Sequence, residues 1–474
     1  MVDVVTTADY TAQMAQVNMQ LAALNKAVFG GGPIVGPVAS GYITADFGAA
    51  FNYPGKGAPV AQQVVDRRMY GTSTGGAADN NWARFADPTY TGLMGSVNPG
   101  LWYINGNEAG AWFNADGSVN TGAFAKLLAG FPLVDPAGIS GIFFGLNWDS
   151  IGFVGGNAAN FGKCAGNLAA FLNTAKMSNG RPLPVLGFAG HDEPDGIPQT
   201  TIQAMMNAMV PAIKAVNQSW LIMGPQTSWA GALMPWFMQN VHTDVCSWDM
   251  YPSGSDIGTG AWTNPQYYTR ASGDMANMAG LVPYAPKAFM IGGFNLDWNC
   301  SAPSQHNYIG AMWAAIVALQ SLNNAPGAFW SCIWDAEGDG TCGFVPDPNN
   351  PVTPGQPQLL TPFAYLWREG IQKLFGPRWQ VSSQKPGLLT CACTPSANHA
   401  TLMVVNAGQG PVSNQSVAFS RMPGNALGNT TARIWQVGTG VTGIGQDGTV
   451  TQAQVSAGVL QASLPDPSVS IISI

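Results

Sequence analysis

From about residue 41 to residue 334 the chain repeats one pattern. A short apolar run closes on Gly, Asn, Asp or an aromatic residue, and a stretch of helical period often follows. Eight such runs stand out, at 41–47, 100–104, 139–147, 185–189, 220–224, 245–250, 287–294 and 328–334. Helical stretches lie between most of them, for example at 124–130, 160–177, 200–216, 233–241, 269–279 and 306–322. Buried parallel strands read as continuous apolar runs, and eight alternating with helices over about 300 residues is the order of a (β/α)8 TIM barrel in the α/β class. A doubly wound open sheet is the alternative. No Gly-x-Gly-x-x-Gly phosphate turn follows the first run, which counts against it.

The period differs at both ends of the chain. Tyr10, Met14, Val17, Leu21, Leu24 and Val28 form a heptad seam on a helix expected over 9–29, which Gly30-Gly31-Gly32-Pro33 ends. That helix either packs on its own barrel or forms a short coiled coil, giving a homo-oligomer or an anchor to a larger assembly. After Gly376-Pro377, short alternating runs follow at 388–393, 401–405, 416–420, 432–437, 450–454, 459–464 and 469–474. Turns such as Gln446-Asp447-Gly448 separate them, which is a β-sandwich pattern. The expected organisation is an N-terminal helix in 1–40, a barrel in 41–376 and a sandwich in 377–474. The sandwich supports the barrel or, alternatively, is a carbohydrate-binding module of its own.

Composition narrows the partners. Only 9% of residues are charged, against about 25% in an average domain, so Asn, Gln, Ser, Thr and Gly must cover much of the surface. A net charge of −7 with 18 Lys+Arg and no basic cluster argues against nucleic acid and anionic lipid. The apolar stretches are too short to cross a bilayer, so no membrane partner is expected. The first residues carry no signal-peptide pattern; with the uncharged surface, the expectation is a protein that is extracellular or virion-associated. Seven scattered Cys show no zinc spacing, and four His show no His-x-x-x-His pair, so neither a metal nor another cofactor is expected. Cys300, Cys332 and Cys342 fall near loops at the barrel mouth, where one disulfide could form, although burial as small apolar groups is the simpler role.

The candidate chemistry sits at the ends of the runs. The run 184–189 stops abruptly at His191-Asp192-Glu193-Pro194-Asp195. Carboxylates there would stand at the mouth of a barrel, where barrel enzymes keep their chemistry, and Glu193 can donate and accept a proton. Other run ends supply flat aromatic faces and amides of the kind that bind sugars. They are Trp102, Asn147-Trp148, Trp229, Trp248 with Tyr251, Asn295, Trp298, Trp330 and Trp334, with Asp192 beside Glu193. A saccharide groove is the expected partner surface. A single Trp is more often core than platform, and Glu193 alone could be a structural carboxylate.

In their order, these motifs resemble clan A glycoside hydrolases, with family 39 nearest. Asp192-Glu193-Pro194 resembles the acid/base segment after the fourth strand, where the Glu is the general acid/base. Asp192 stands where that family usually has Asn. Gly224-Pro225, the run Trp248-Asp249-Met250-Tyr251-Pro252 and the turn Asp339-Gly340-Thr341-Cys342-Gly343-Phe344 look like its strand-five, strand-six and strand-eight signatures. Ile291-Gly292-Gly293-Phe294-Asn295 aligns with the strand-seven segment, but Gly293 stands where the nucleophile Glu belongs. The resemblance therefore implies a hydrolase acting on a polysaccharide or oligosaccharide, with its second carboxylate missing. Asp249, Asp297, Asp335 and Glu337 are the replacements within reach of the mouth. A non-catalytic glycan-binding barrel, such as a phage tail or other virion component recognising host-surface sugar, is the competing reading. A deliberate removal of the nucleophile would leave the same sequence.

Overall fold

Side chains alternate across a β-strand, so a strand in a closed barrel feeds two cores at once. In this computed structural model, Leu101, Tyr103, Phe143, Ala189, Met223, Val245 and Met290 form one buried cluster inside the barrel. Their neighbours Trp102, Ile104, Ile142, Phe144, Phe188, Ile222, Trp248 and Ile291 join a larger cluster shared with the helices outside. The structure describes residues 38–51, 64–74, 81–229, 231–252, 255–280, 288–297, 303–324, 330–334, 343–346, 355, 357–396, 398–422 and 430–474. The expected N-terminal helix lies outside them.

The strands in chain order begin with β1 (Ile43–Ala50), β2 (Val64–Val65), β3 (Tyr70–Thr74), β4 (Leu101–Ile104), β5 (Gly141–Gly145) and β6 (Val185–Ala189). Next come β7 (Leu221–Thr227), β8 (Val245–Met250), β9 (Ala288–Phe294), β10 (Trp330–Trp334), β11 (Gly376–Ser383) and β12 (Leu389–Ser396). The last six are β13 (His399–Asn406), β14 (Val412–Ser420), β15 (Thr430–Gly438), β16 (Thr449–Val455), β17 (Val459–Leu464) and β18 (Ser468–Ser473). β3 to β10 are parallel and close into a barrel in the order β10-β3-β4-β5-β6-β7-β8-β9. Helices follow these strands, the longest being Ala158–Thr174, Gln199–Val216 and Tyr308–Asn324. The remaining strands build a separate, mainly antiparallel sheet ordered β16-β15-β18-β13-β12-β11-β1-β14-β17, with β2 beside β11.

One expected strand is misplaced. The run at 41–47 does not open the barrel; β1 pairs antiparallel with β11 and parallel with β14, in the second sheet. Its sequence Ile43-Thr44-Ala45-Asp46-Phe47 alternates strictly, and only Ile43, Ala45 and Phe47 are buried apolar groups. That alternation suits a strand with one wet face, not one covered on both. The first barrel strand is β3, whose Tyr70-Gly71-Thr72-Ser73-Thr74 carries too little apolar character to stand out. Arg421 pairs with Asp46 and fixes β1 to the segment after β14.

The second sheet serves two cores. Phe47, Leu402, Phe419, Ile434 and Leu460 fill its own interior, whereas Cys393, Met403, Val405, Trp435 and Ile471 face the barrel. Between the two lies Tyr308–Asn324, apolar on every side, as a helix covered all round must be. Arg378 is buried at the same seam, with Nη1 donating to the Leu322 carbonyl at 2.8 Å and its guanidinium 3.4 Å above the Phe51 ring. Glu369 accepts from Arg368, Lys373 and Arg433 at 2.9, 3.0 and 2.8 Å, tying the helix Pro362–Glu369 to β15.

Candidate functional site

The C-terminal ends of the barrel strands converge on the segment after β6. Gly190 ends the buried strand, and Asp192 is then held from two sides. Its backbone N–H donates to Asn147 Oδ1 at 2.9 Å, and its carboxylate accepts from Asn105 Nδ2 at 3.0 Å. Asn107 links the two amides, donating its N–H to Asn105 Oδ1 at 2.7 Å and accepting from Asn147 Nδ2. The ends of β4, β5 and β6 are thus knitted by one polar network. His191 lies beneath it, against the Trp148 ring at 4.5 Å, with Nε2 2.9 Å from Asp149 Oδ2 and Nδ1 against the Asp192 carbonyl.

Glu193 sits at the outer end of this network with its side chain in solvent. Its backbone is left-handed, at φ 46° and ψ 57°, which is uncommon for a residue with a Cβ and worth explaining where it occurs. Three neighbours enforce it. The Glu193 N–H donates to the Gln226 carbonyl at 2.9 Å. Pro194 is buried, and Asp195 accepts from the Ser228 N–H and hydroxyl at 2.8 and 3.1 Å. Asp192 and Asp195 therefore turn to Asn105 and Ser228. Both acids anchor the loop that carries Glu193.

Opposite, Gln226 is also left-handed, at φ 54°. Its backbone N–H donates to Ser247 Oγ at 3.1 Å and its side-chain amide to Asp249 Oδ1 at 2.6 Å. Asp249 is 5% exposed. Tyr251 follows at the end of β8, its carbonyl accepting from Arg270 at 2.8 Å. Trp229 is 53% exposed, on a loop closed by a 2.8 Å bond from Thr227 Oγ1 to its carbonyl.

Several residues expected to meet substrate are core. Trp102 and Trp248 are fully buried on the outward faces of β4 and β8; Trp102 packs on Phe85 and Phe131, each at 5.8 Å. Strand alternation turns them from the mouth. Trp148 supports His191 and Phe161 and is 5% exposed. Asn295 and Asp297 are fully buried, Asn295 Oδ1 capping the Asp297 N–H at 2.8 Å while its carbonyl takes the Trp313 indole at 3.0 Å. Trp330 and Trp334 lie on β10, in register with Phe289 and with Phe294. Trp298, Glu337, Cys300 and Cys342 lie outside the described residues. Sequence reasoning singled out neither Asn105 nor Gln226 as a site residue, although each is a polar residue beside residues it did choose.

Among the described residues, no group of three His, Cys, Asp or Glu is placed to hold a metal ion, and no helix is long and apolar enough to cross a membrane. Cys164, Cys246, Cys391 and Cys393 are free and buried, and burial pushes the Cys164 thiol up to about 11.

No family profile and no curated protein matches the chain. Solved structures do match its fold over nearly its whole length. A glucosidase from Croceicoccus marinus superposes with a TM-score of 0.63 at 12% identity, covering 91% of this chain and 98% of its own. A monomeric β-xylosidase from Caulobacter crescentus gives 0.61 at 12% identity over the same shares, 91% and 98%. The GH39 enzyme from Xanthomonas axonopodis pv. citri gives 0.59 at 11%, covering 91% and 96%. At such identities the likeness is one of fold.

Proposed function

We propose that this chain is a glycoside hydrolase-like protein acting on a polysaccharide or oligosaccharide, with Glu193 as its general acid/base. The observation that carries the reading is the placement of Glu193. A solvent-facing carboxylate is held in a left-handed turn after the fourth strand of a parallel barrel, its backbone pinned to Gln226 and its flanks to Asn147 and Ser228. A merely structural acid would turn toward backbone N–H groups, as Asp195 does. Trp229 supplies an exposed aromatic face on the adjoining loop, suited to the apolar face of a sugar ring. The fold is that of a glucosidase and xylosidases, and we read the barrel as (β/α)8.

Gly293 favours a second reading, a barrel that holds glycan without cutting it, because the carboxylate that the clan A resemblance places there is gone. One experiment separates the two. Wild type and Glu193→Gln are incubated with xylan, mixed-linkage β-glucan and a set of aryl glycosides, and reducing ends are counted while retention is followed on gels cast with the same polysaccharides. Release by wild type and its loss in Glu193→Gln is the expected result. Retention without release would support the glycan-holding barrel, and neither release nor retention would remove both readings.

A further inference from the structure

Gly293 is more than a gap in a motif. β9 shifts register against β8 at this point, so that Trp248 pairs with Ile291 but Asp249 with Gly293. A Cβ on Gly292 would lie 2.0 Å from Gln226 Oε1, and one on Gly293 would lie 2.7 Å from the Tyr251 hydroxyl and 3.1 Å from Asp249 Oδ1. The room a side chain from 293 would enter is already held by Asp249 of β8 and Tyr251 just after it, and the room at 292 by Gln226 of β7. Glycine at 292 leaves room for the Gln226 side chain, whose amide holds Asp249, and glycine at 293 leaves room for the Asp249 carboxylate and the Tyr251 hydroxyl.

Resting on the reading of Glu193 above, we infer that Asp249 is the second catalytic carboxylate, supplied by the sixth barrel strand in place of the seventh. Gln226 touches both residues, its side-chain amide donating to Asp249 Oδ1 at 2.6 Å and its backbone carbonyl accepting the Glu193 N–H at 2.9 Å. Of the other candidate acids, Asp297 is fully buried beyond the end of β9, and Asp335 and Glu337 lie outside the described residues. Tied to the Gln226 amide, Asp249 acts in this inference as a base toward a water molecule and not as a nucleophile on the sugar carbon. Asp249 takes a proton from that water, whose oxygen bonds to the anomeric carbon. The glycosidic C–O bond breaks on the opposite face, and Glu193 gives its proton to the leaving oxygen. Asp249 ends protonated and Glu193 ionised, and exchange with solvent resets both. The product has inverted configuration.

The test follows the anomer released from xylan or β-glucan by proton NMR, with wild type, Glu193→Gln, Asp249→Asn and Gly293→Glu, each checked for an unchanged melting transition. Expected are an inverted product and a loss of about 10²- to 10⁴-fold in kcat for both Glu193→Gln and Asp249→Asn. Asp249→Asn also loses the acidic limb of the kcat/KM profile, which a structural role would leave in place. Gly293→Glu gains nothing. Full activity in Asp249→Asn beside a dead Glu193→Gln overturns this inference alone, as does a retained anomer or a gain in Gly293→Glu. An active Glu193→Gln, or no release by wild type, overturns the parent reading as well. If Asp249→Asn melts early, Asp249→Glu decides: a folded variant keeping wild-type rates, despite its shifted carboxylate, contradicts the role.

Discussion

At the scale of single residues, position on a strand decides what an aromatic or acidic group can do. Trp102 lies within β4 and is core, whereas Trp229 lies just past β7 and is 53% exposed. Trp102→Ala should cost about 3–5 kcal/mol in chemical denaturation, whereas Trp229→Ala should leave the midpoint unchanged and weaken retention on polysaccharide gels. The glycine at 292 gives a sharper test. Gly292→Ala must displace the Gln226 amide and cost about 1–3 kcal/mol, and adding Gln226→Ala should recover part of that loss. Strict additivity in that cycle would show that the two positions do not meet. Asp244 is a structural counterpart. Burial works against its charge, but His242, Lys214 at 2.9 Å and the Ile222 N–H outweigh it and bring its pKa from 3.8 down to about 2. A lowered carboxylate contributes stability above its unfolded pKa and loses it as pH falls through the folded one. Asp244→Asn should therefore lower wild-type stability by about 2 kcal/mol at pH 7, with the difference vanishing between pH 4 and about pH 2.

At the scale of elements, most of the barrel was legible because its strands are covered on both faces and read as unbroken apolar runs. β4 to β10 lie where such runs end in polar or aromatic residues. Apolar content alone exchanges β1 and β3, and period tells them apart: Ile43–Ala50 alternates like a half-wet strand, while Tyr70–Thr74 is polar but enclosed. The candidate site stands out in the sequence at Glu193, where three acids and a proline break a strand. It was not legible in the tryptophans, because one residue of offset along a strand reverses the face and the apolar pattern does not state where the barrel interior begins. Nor do Asn105 and Gln226 carry a charge that would mark them. The loop lock offers a check here. Asp195→Ala frees Ser228 and should raise amide exchange in both 191–196 and 226–229 while leaving global stability within about 1 kcal/mol. Faster exchange in 191–196 alone would mean that the two loops are not coupled.

At the scale of the molecule, the second sheet completes the barrel. Trp435, Val405 and Ile471 belong to the barrel-side core, and the helix Tyr308–Asn324 has no face suited to water. A chain ending before β11 would expose that helix and should aggregate or lack a cooperative transition; a soluble, cooperative barrel would contradict the shared core. The function proposed for the mouth depends on one proton, and leaving-group dependence reports on it most directly. The measurement is kcat/KM of wild type and Glu193→Gln for two glycosides of one sugar, one with a dinitrophenyl leaving group that needs no protonation and one with an alkyl or sugar leaving group that does. The account predicts a loss of about 10²- to 10⁴-fold on the poor leaving group and little loss on the good one. Equal losses on both, or none on either, would contradict Glu193 as the acid.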